Sequence, residues 1–247
     1  MEQPLLELDP ELGETLDEVA VRRARSELYA RIGYLPRGPW EVPGLVGYGH
    51  LGLLLLDGVI AREVVISSAM STELLGAGDL IRPWRADDGG GVVGSDVRWN
   101  VLAPASFAVL DRSFAGRVAA FPLVTAALLE RVERRHHRLG ELRTISNLVR
   151  VEDRLVALMR LLGERWGRVT RQGLLVPLVL SHRTLGDLVG ARRPTVSTAA
   201  AKLSRRGLLE RRADGSWLLP SLEVPAPQAP VSVPQRRHLI AAARSVA

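Results

Sequence analysis

Between residues 181 and 219 the apolar positions follow a pattern that few folds can accept. Ser181 stands where a helix cap is needed, and Leu185 and Leu188 share the inner side of a short helix over 183–189. Gly190 follows, a residue suited to reversing the chain. Helical spacing resumes over 193–206, with Val196, Ala199, Ala200 and Leu203 on one face. Gly207 ends that helix, Leu208 and Leu209 start a strand, residues 213–216 make a turn, and Trp217, Leu218 and Leu219 return. The order is helix, glycine turn, helix, two-stranded wing.

Charge gives this element a purpose. The chain has a net charge of +6, and of its 33 basic residues all but Lys202 are arginines, a bias that a GC-rich genome also produces. Position is therefore more informative than the total. Within 181–220 lie eight basic residues, Arg183, Arg192, Arg193, Lys202, Arg205, Arg206, Arg211 and Arg212, against three acids, Asp187, Glu210 and Asp214. A solvated face mixes its signs more evenly. The outward side of the second helix carries Pro194, Ser197, Thr198 and Ala201, small enough for close approach to a DNA groove. Arg192 and Arg193 at its start are placed for a guanine edge or a phosphate, and Ser181, Arg183, Thr195, Ser197, Thr198, Lys202, Arg205 and Arg211 complete the expected DNA contacts. The competing reading is a helical hairpin that contacts proteins and no longer binds DNA.

The remainder divides by rhythm. Residues 1–31 read as helical, with Leu12, Leu16, Val19 and Val21 among charges, and 32–50 as loops rich in proline and glycine. From 51 to 110 short apolar runs alternate with turns. Runs at 51–56, 59–67, 73–75, 80–84, 97–102 and 107–110 read as strands, Asp57-Gly58 as a hairpin turn and 87–91 as a flexible tip. That spacing predicts a jelly roll or β-roll. Residues 122–149 predict a long helix with Leu128, Val132, Leu139, Leu142, Ile145 and Val149 at steps of three, four or seven, serving either as an ordinary core face or as a dimer seam. A further helix covers 152–166, with Leu155, Leu158, Met159 and Leu162 on one face. Residues 220–235 read as an extended proline-rich linker and 236–246 as a short helix without an assigned role.

Several chemistries are excluded. With no cysteine there are no disulfides, thiol nucleophiles, cysteine-held clusters or zinc fingers. A metal-dependent roll enzyme needs clustered ligands, yet only His50 lies in the roll; His136 and His137 are adjacent, and His182 and His238 are distant in sequence. The glycines at 76–78 and 89–91 lack the spacing and lysine of a phosphate loop. Trp84 with Arg82 and Arg85 reads as a core tryptophan beside exposed arginines ahead of an effector pocket. The acidic start (Glu2, Glu7, Asp9, Glu11) is unlike a signal peptide, and the apolar runs at 51–56 and 174–180 are too short to cross a bilayer. The expectation is a cytoplasmic non-enzyme without cofactor or metal.

The segment LSHRTLGDLVGARRPTVSTAAAKLSRRGLLE at 180–210 resembles the helix-turn-helix of the Crp/Fnr family of bacterial transcription regulators, and VEDRLVALMRLL at 151–162 resembles the helix that opens that family's DNA-binding domain. LLGAGDL at 74–80 and FAVLDRSF at 107–114 are similar to parts of its cyclic-nucleotide-binding-type roll. The resemblance covers roughly 45–220 and is specific in its C-terminal half. It implies an α+β chain. Residues 1–44 form an N-terminal extension, 45–121 a β-roll sensor-like domain, 122–149 a dimerisation helix, 150–220 a winged helix-turn-helix and 221–247 a tail. It implies a homodimer on a roughly palindromic site, with double-stranded DNA, RNA polymerase and a small-molecule effector as partners, and no membrane. Two departures stand out. The stretch IRPWRADDGGGVVGS at 81–95 has neither the Gly-Glu nor the Arg-Ser or Arg-Thr pair of the cyclic-nucleotide binders, so the effector expected is not cyclic AMP. In the reading helix Arg193 matches the first of the family's Arg-Glu and further Arg, but Pro194 and Thr198 replace the other two. A different target sequence follows.

Overall fold

The structure, a computed structural model, describes residues 2–42, 50–85 and 94–220. The glycine tip at 87–91, the linker and tail beyond 220, and the side chain of Arg85 lie outside the described residues.

Two 15-residue strands, β4 (Gly52–Ile66) and β7 (Asp96–Leu110), form the spine of the first domain. They pair antiparallel from Gly52↔Leu110 to Val65↔Asp96. The run at 51–56 is apolar throughout because both sides of β4 are covered: Leu53 and Leu55 enter the interior of the roll, and Leu54 packs under the helices. Asp57-Gly58 does not turn the chain. It is an irregularity inside β4, where the register shifts on either side of Asp57, Gly58 has φ +87° and an added Cβ would lie 2.3 Å from the Pro104 carbonyl. The hairpin comes later, at Ser67-Ser68, leading into β5 (Ala69–Gly76). The runs at 97–102 and 107–110 likewise belong to the single strand β7.

The segment read as extension and loops joins the same sheet. β1 (Glu2–Pro4) pairs with β2 (Tyr29–Leu35), β2 pairs with β7, and β3 (Gly38–Pro39) adds to β7. Among the described residues the sheet has seven strands, ordered β1-β2-β7-β4-β5, with β6 (Leu80–Ile81) on β4. Helix α1 (Leu5–Leu8), a 3-10 turn at Pro10–Gly13 and α2 (Glu18–Glu27) cover one side and bury Leu5, Leu6 and Leu12 with Phe114 of α3 (Arg112–Val118).

Helix α4 (Pro122–Ser146) then runs along the roll. Its apolar stripe is consumed within the chain: Leu128 packs with the N-terminal helices, Ile145 enters the core of the next domain, and Leu142 packs against that core. The face left outside runs through Ala126, Leu129, Glu133, His136 and Gly140, and Val149 beyond the helix is 94% exposed. Helix α5 (Val151–Trp166) opens the second domain, followed by β8 (Arg168–Thr170), β9 (Gly173–Val176), α6 (His182–Val189), α7 (Arg193–Arg205), β10 (Glu210–Arg211) and β11 (Trp217–Leu219). The wing is part of a four-stranded sheet ordered β10-β11-β9-β8, because the apolar run starting at Leu174 supplies β9. The core of this domain also takes in Val59 and Ala61 of β4 and Leu74 of β5, so it is seated on the roll.

Candidate nucleic-acid interface

Three short-range devices set the two helices of the reader. Ser181 caps α6, its Oγ accepting from the Thr184 amide at 3.0 Å. Gly190 adopts a left-handed conformation (φ +64°), and the Ala191 amide closes back on the Gly186 carbonyl at 2.9 Å. Arg192 then stands at the N-cap of α7 with Pro194 in its first turn. Val196, Ala199, Ala200 and Leu203 face inward, as their spacing predicts.

The outward face carries Arg192, Arg193, Pro194, Thr195, Thr198 and Ala201, all exposed, with Arg205 at the far end of α7 and Arg206 at its cap. Thr198 is exposed, and its Oγ1 donates to the Pro194 carbonyl at 3.1 Å. Arg183, Arg193 and Arg211 converge with Ser181 and His182 on a recess of about 310 Å³ between the two helices and the wing. Among the described residues no carboxylate forms an ion pair with any of these three arginines. Asp187, one turn along α6, acts on Arg183 electrostatically without forming an ion pair, so three guanidiniums still line the recess and make it a seat for an anion. In the wing, Arg211 lies 5.8 Å from the Trp217 ring and Arg212 donates to Gln172 at 3.2 Å. The wing turn is held by Asp214, which accepts from the Ser216 amide (2.9 Å) and hydroxyl (2.6 Å); those bonds lower the Asp214 pKa.

Two side chains expected to contact DNA also bind within the protein. Lys202 Nζ lies 2.6 Å from Glu152 Oε1 of α5, and this bond lowers the Glu152 pKa. Ser197 is half-buried, with Oγ 2.8 Å from Nδ1 of His182. Neither partner carries a short-range signal: Glu152 lies 50 residues away, and His182 is an ordinary first-turn residue until the fold brings α7 against it. Burial, with Arg211 and then Arg193, holds the His182 pKa below its ordinary value.

A second concavity lies between the roll and α4. It measures about 490 Å³ and is lined by Leu51, Leu80, Trp99, Leu128, Leu129 and Val132, with Thr125, Arg62, Arg82 and Arg135. Arg82 is exposed and contributes to this lining, whereas Trp84 packs against the roll core and edge-on against His50, as expected of a core tryptophan beside exposed arginines. Arg135 is held by Glu73 through two bonds of 2.7 Å; Arg62 reaches the same carboxylate only at 3.9 Å. Among the described residues no group of three metal-ligating side chains occurs, and no helix is long and apolar enough to cross a membrane.

Residues 149–223 match the profile of the Crp-like helix-turn-helix domain. No curated protein matches the sequence significantly. Similar solved structures include a cyclic nucleotide-binding domain containing protein from Listeria monocytogenes (TM-score 0.63, 13% identity, 87% of this chain and 97% of that one). They also include a CooA mutant from Carboxydothermus hydrogenoformans (0.62, 17%, 87% and 92%) and a transcriptional regulator of the CRP/FNR family from Thermus thermophilus (0.53, 18%, 78% and 94%). At these identities the likeness is one of fold. The chain thus carries a Crp-like helix-turn-helix domain over residues 149–223, seated on a roll and long helix that share the fold of these structures.

Proposed function

We propose that this chain is a DNA-binding transcription regulator of Crp/Fnr type and that it binds DNA as a homodimer on a roughly palindromic site, with α7 of each copy in the major groove and half-sites about 34 Å apart. The observation that carries this reading is the convergence of Arg183, Arg193 and Arg211, none in an ion pair among the described residues, beside an outward helix face of small residues. In the proposed complex Arg183 and Arg211 take phosphates, Arg193 reads a base edge, Arg192 and Thr195 support it at the start of α7, and Arg205 follows the backbone at the far end. The partners on this reading are double-stranded DNA, a second copy of the chain, RNA polymerase and a small effector.

The effector belongs in the cavity between roll and α4, and it is not cyclic AMP, because the sequence over 81–95 lacks the pairs that hold ribose and phosphate. The cavity suits a small anion with an apolar body. Burial lowers the Arg62 pKa against the pull of Glu73, and a guanidinium cannot relieve that strain by losing its proton, so an anion in the cavity is stabilised there.

Enrichment of duplexes from a random library by the full chain tests the DNA reading. An inverted repeat with half-sites one turn apart is expected. A folded chain that enriches no duplex returns the winged helix to the reading of a protein-interaction module.

A further inference from the structure

Resting on the DNA-binding reading, we propose that His182 is a positioning residue of the interface: it orients the Ser197 hydroxyl, and it takes up a proton when a DNA phosphate enters the recess, so that binding tightens as pH falls. The imidazole stands where three elements meet. On α6 it is flanked by Ser181 and Arg183; from α7 come Arg193 and Ser197; from the wing come Arg211 and, with ring centroids 6.0 Å apart, Trp217. Among the described residues no carboxylate lines the recess. Nδ1 is taken by Ser197 Oγ at 2.8 Å, and Nε2 has no protein partner among the described residues, so it is the ring atom left to a group entering the recess.

In the free protein partial burial, and after it the facing Arg211 and Arg193, favour the neutral ring. A phosphodiester seated among the arginines reverses the local field. The ring then gains a proton from solvent. Nε2–H donates to a phosphate oxygen and Nδ1–H donates to Ser197 Oγ, which directs the serine O–H outward as a donor at the start of the reading helix. Sequence readout and phosphate grip are thereby tied to one titration. The complex binds more protons than the free protein, so affinity is highest at low pH and is lost as pH rises through the bound-state pKa.

The test measures the affinity of the full chain for a duplex of about 30 base pairs at fixed ionic strength between pH 6 and pH 8. Wild type is expected to tighten several-fold toward pH 6, with a ceiling of about tenfold for each pH unit by which DNA raises the histidine pKa. His182→Gln, which retains an amide for Ser197 but cannot titrate, is expected to give a flat profile. An equal pH slope in wild type and His182→Gln, with binding intact, overturns this proposal and leaves the DNA reading standing. Absence of binding at every pH overturns the DNA reading itself. Should His182→Gln fail to fold, the histidine resonances of wild type decide: the His182 pKa must rise when duplex is added, and an unchanged value overturns the proposal.

Discussion

Arg165 of α5 donates to Asp79 at 2.7 Å, while Arg138 of α4 takes the other carboxylate oxygen, so one buried acid in the turn after β5 joins roll, long helix and reader. Asp79 is 1% exposed and also accepts from the Gly76 amide at 2.9 Å. Arg165 adds a bond to the Ala77 carbonyl, and Trp166 packs against Gly76. The node fixes where α5, and with it the reader, sits on the roll. Asp79→Ala leaves two largely buried guanidiniums without their acid, a loss of about 3–5 kcal/mol. A fall in melting temperature on the order of 10 °C is expected by calorimetry. Asp79→Asn, which can still accept from Gly76, is expected to fall between. A melting temperature unchanged in Asp79→Ala would mean that the apolar contacts of Val59, Ala61 and Leu74 hold the reader unaided.

Arg193 is exposed at the first turn of α7 and has no acid partner among the described residues, so on the DNA-binding reading its fork is available to a base edge. Arg193→Ala is expected to weaken the enriched site by about 1–3 kcal/mol and random duplex far less. Equal losses on both would reassign Arg193 to phosphate.

What was legible in the sequence depended on the range of the interactions involved. The reader could be read because its signals are local: Ser181 caps four residues from Leu185, Gly190 sits at the one left-handed position of the turn, and Val196 to Leu203 keep helical spacing. The roll was legible as a class but not in its joints. Asp57-Gly58 carries a hairpin signal, yet the pairing of β4 with β7 along their length overrides it, and the same dipeptide becomes an irregularity within one strand. Residues 29–39 hide β2 and β3 among prolines and glycines that are tolerated where a strand pairs briefly or at the margin of the sheet. The Lys202–Glu152 and His182–Ser197 pairs exist only after the helices pack.

Arg211 lines the recess from the wing and has no acid partner among the described residues, so on the DNA-binding reading it takes a phosphate. Arg211→Ala is expected to weaken enriched and random duplexes alike and to reduce the slope of log affinity against log salt by about one. A loss confined to the enriched site would instead place Arg211 on a base.

Cyclic AMP and cyclic GMP are expected to leave the melting temperature unchanged at millimolar concentration, since the roll lacks the ribose and phosphate pairs over 81–95. Micromolar binding of either in a calorimeter would overturn the assignment of the cavity to a different anion.

Leu128 and Leu129 are neighbours on α4 with opposite surroundings: Leu128 is 3% exposed and belongs to the core under α1 to α3, whereas Leu129 is 66% exposed on the face that also carries Ala126, Glu133, His136 and Gly140. If two copies associate along this face, Leu129 is the largest apolar side chain near its middle, and a carboxylate there opposes both burial and the nearby Glu130 and Glu133. Leu129→Asp is therefore expected to convert the dimer to a folded monomer, read by light scattering with an unchanged far-ultraviolet spectrum, and to weaken the palindromic site far more than a single half-site. Leu128→Asp is expected to unfold the first domain. A Leu129→Asp protein that stays dimeric would place the partner contact on another surface.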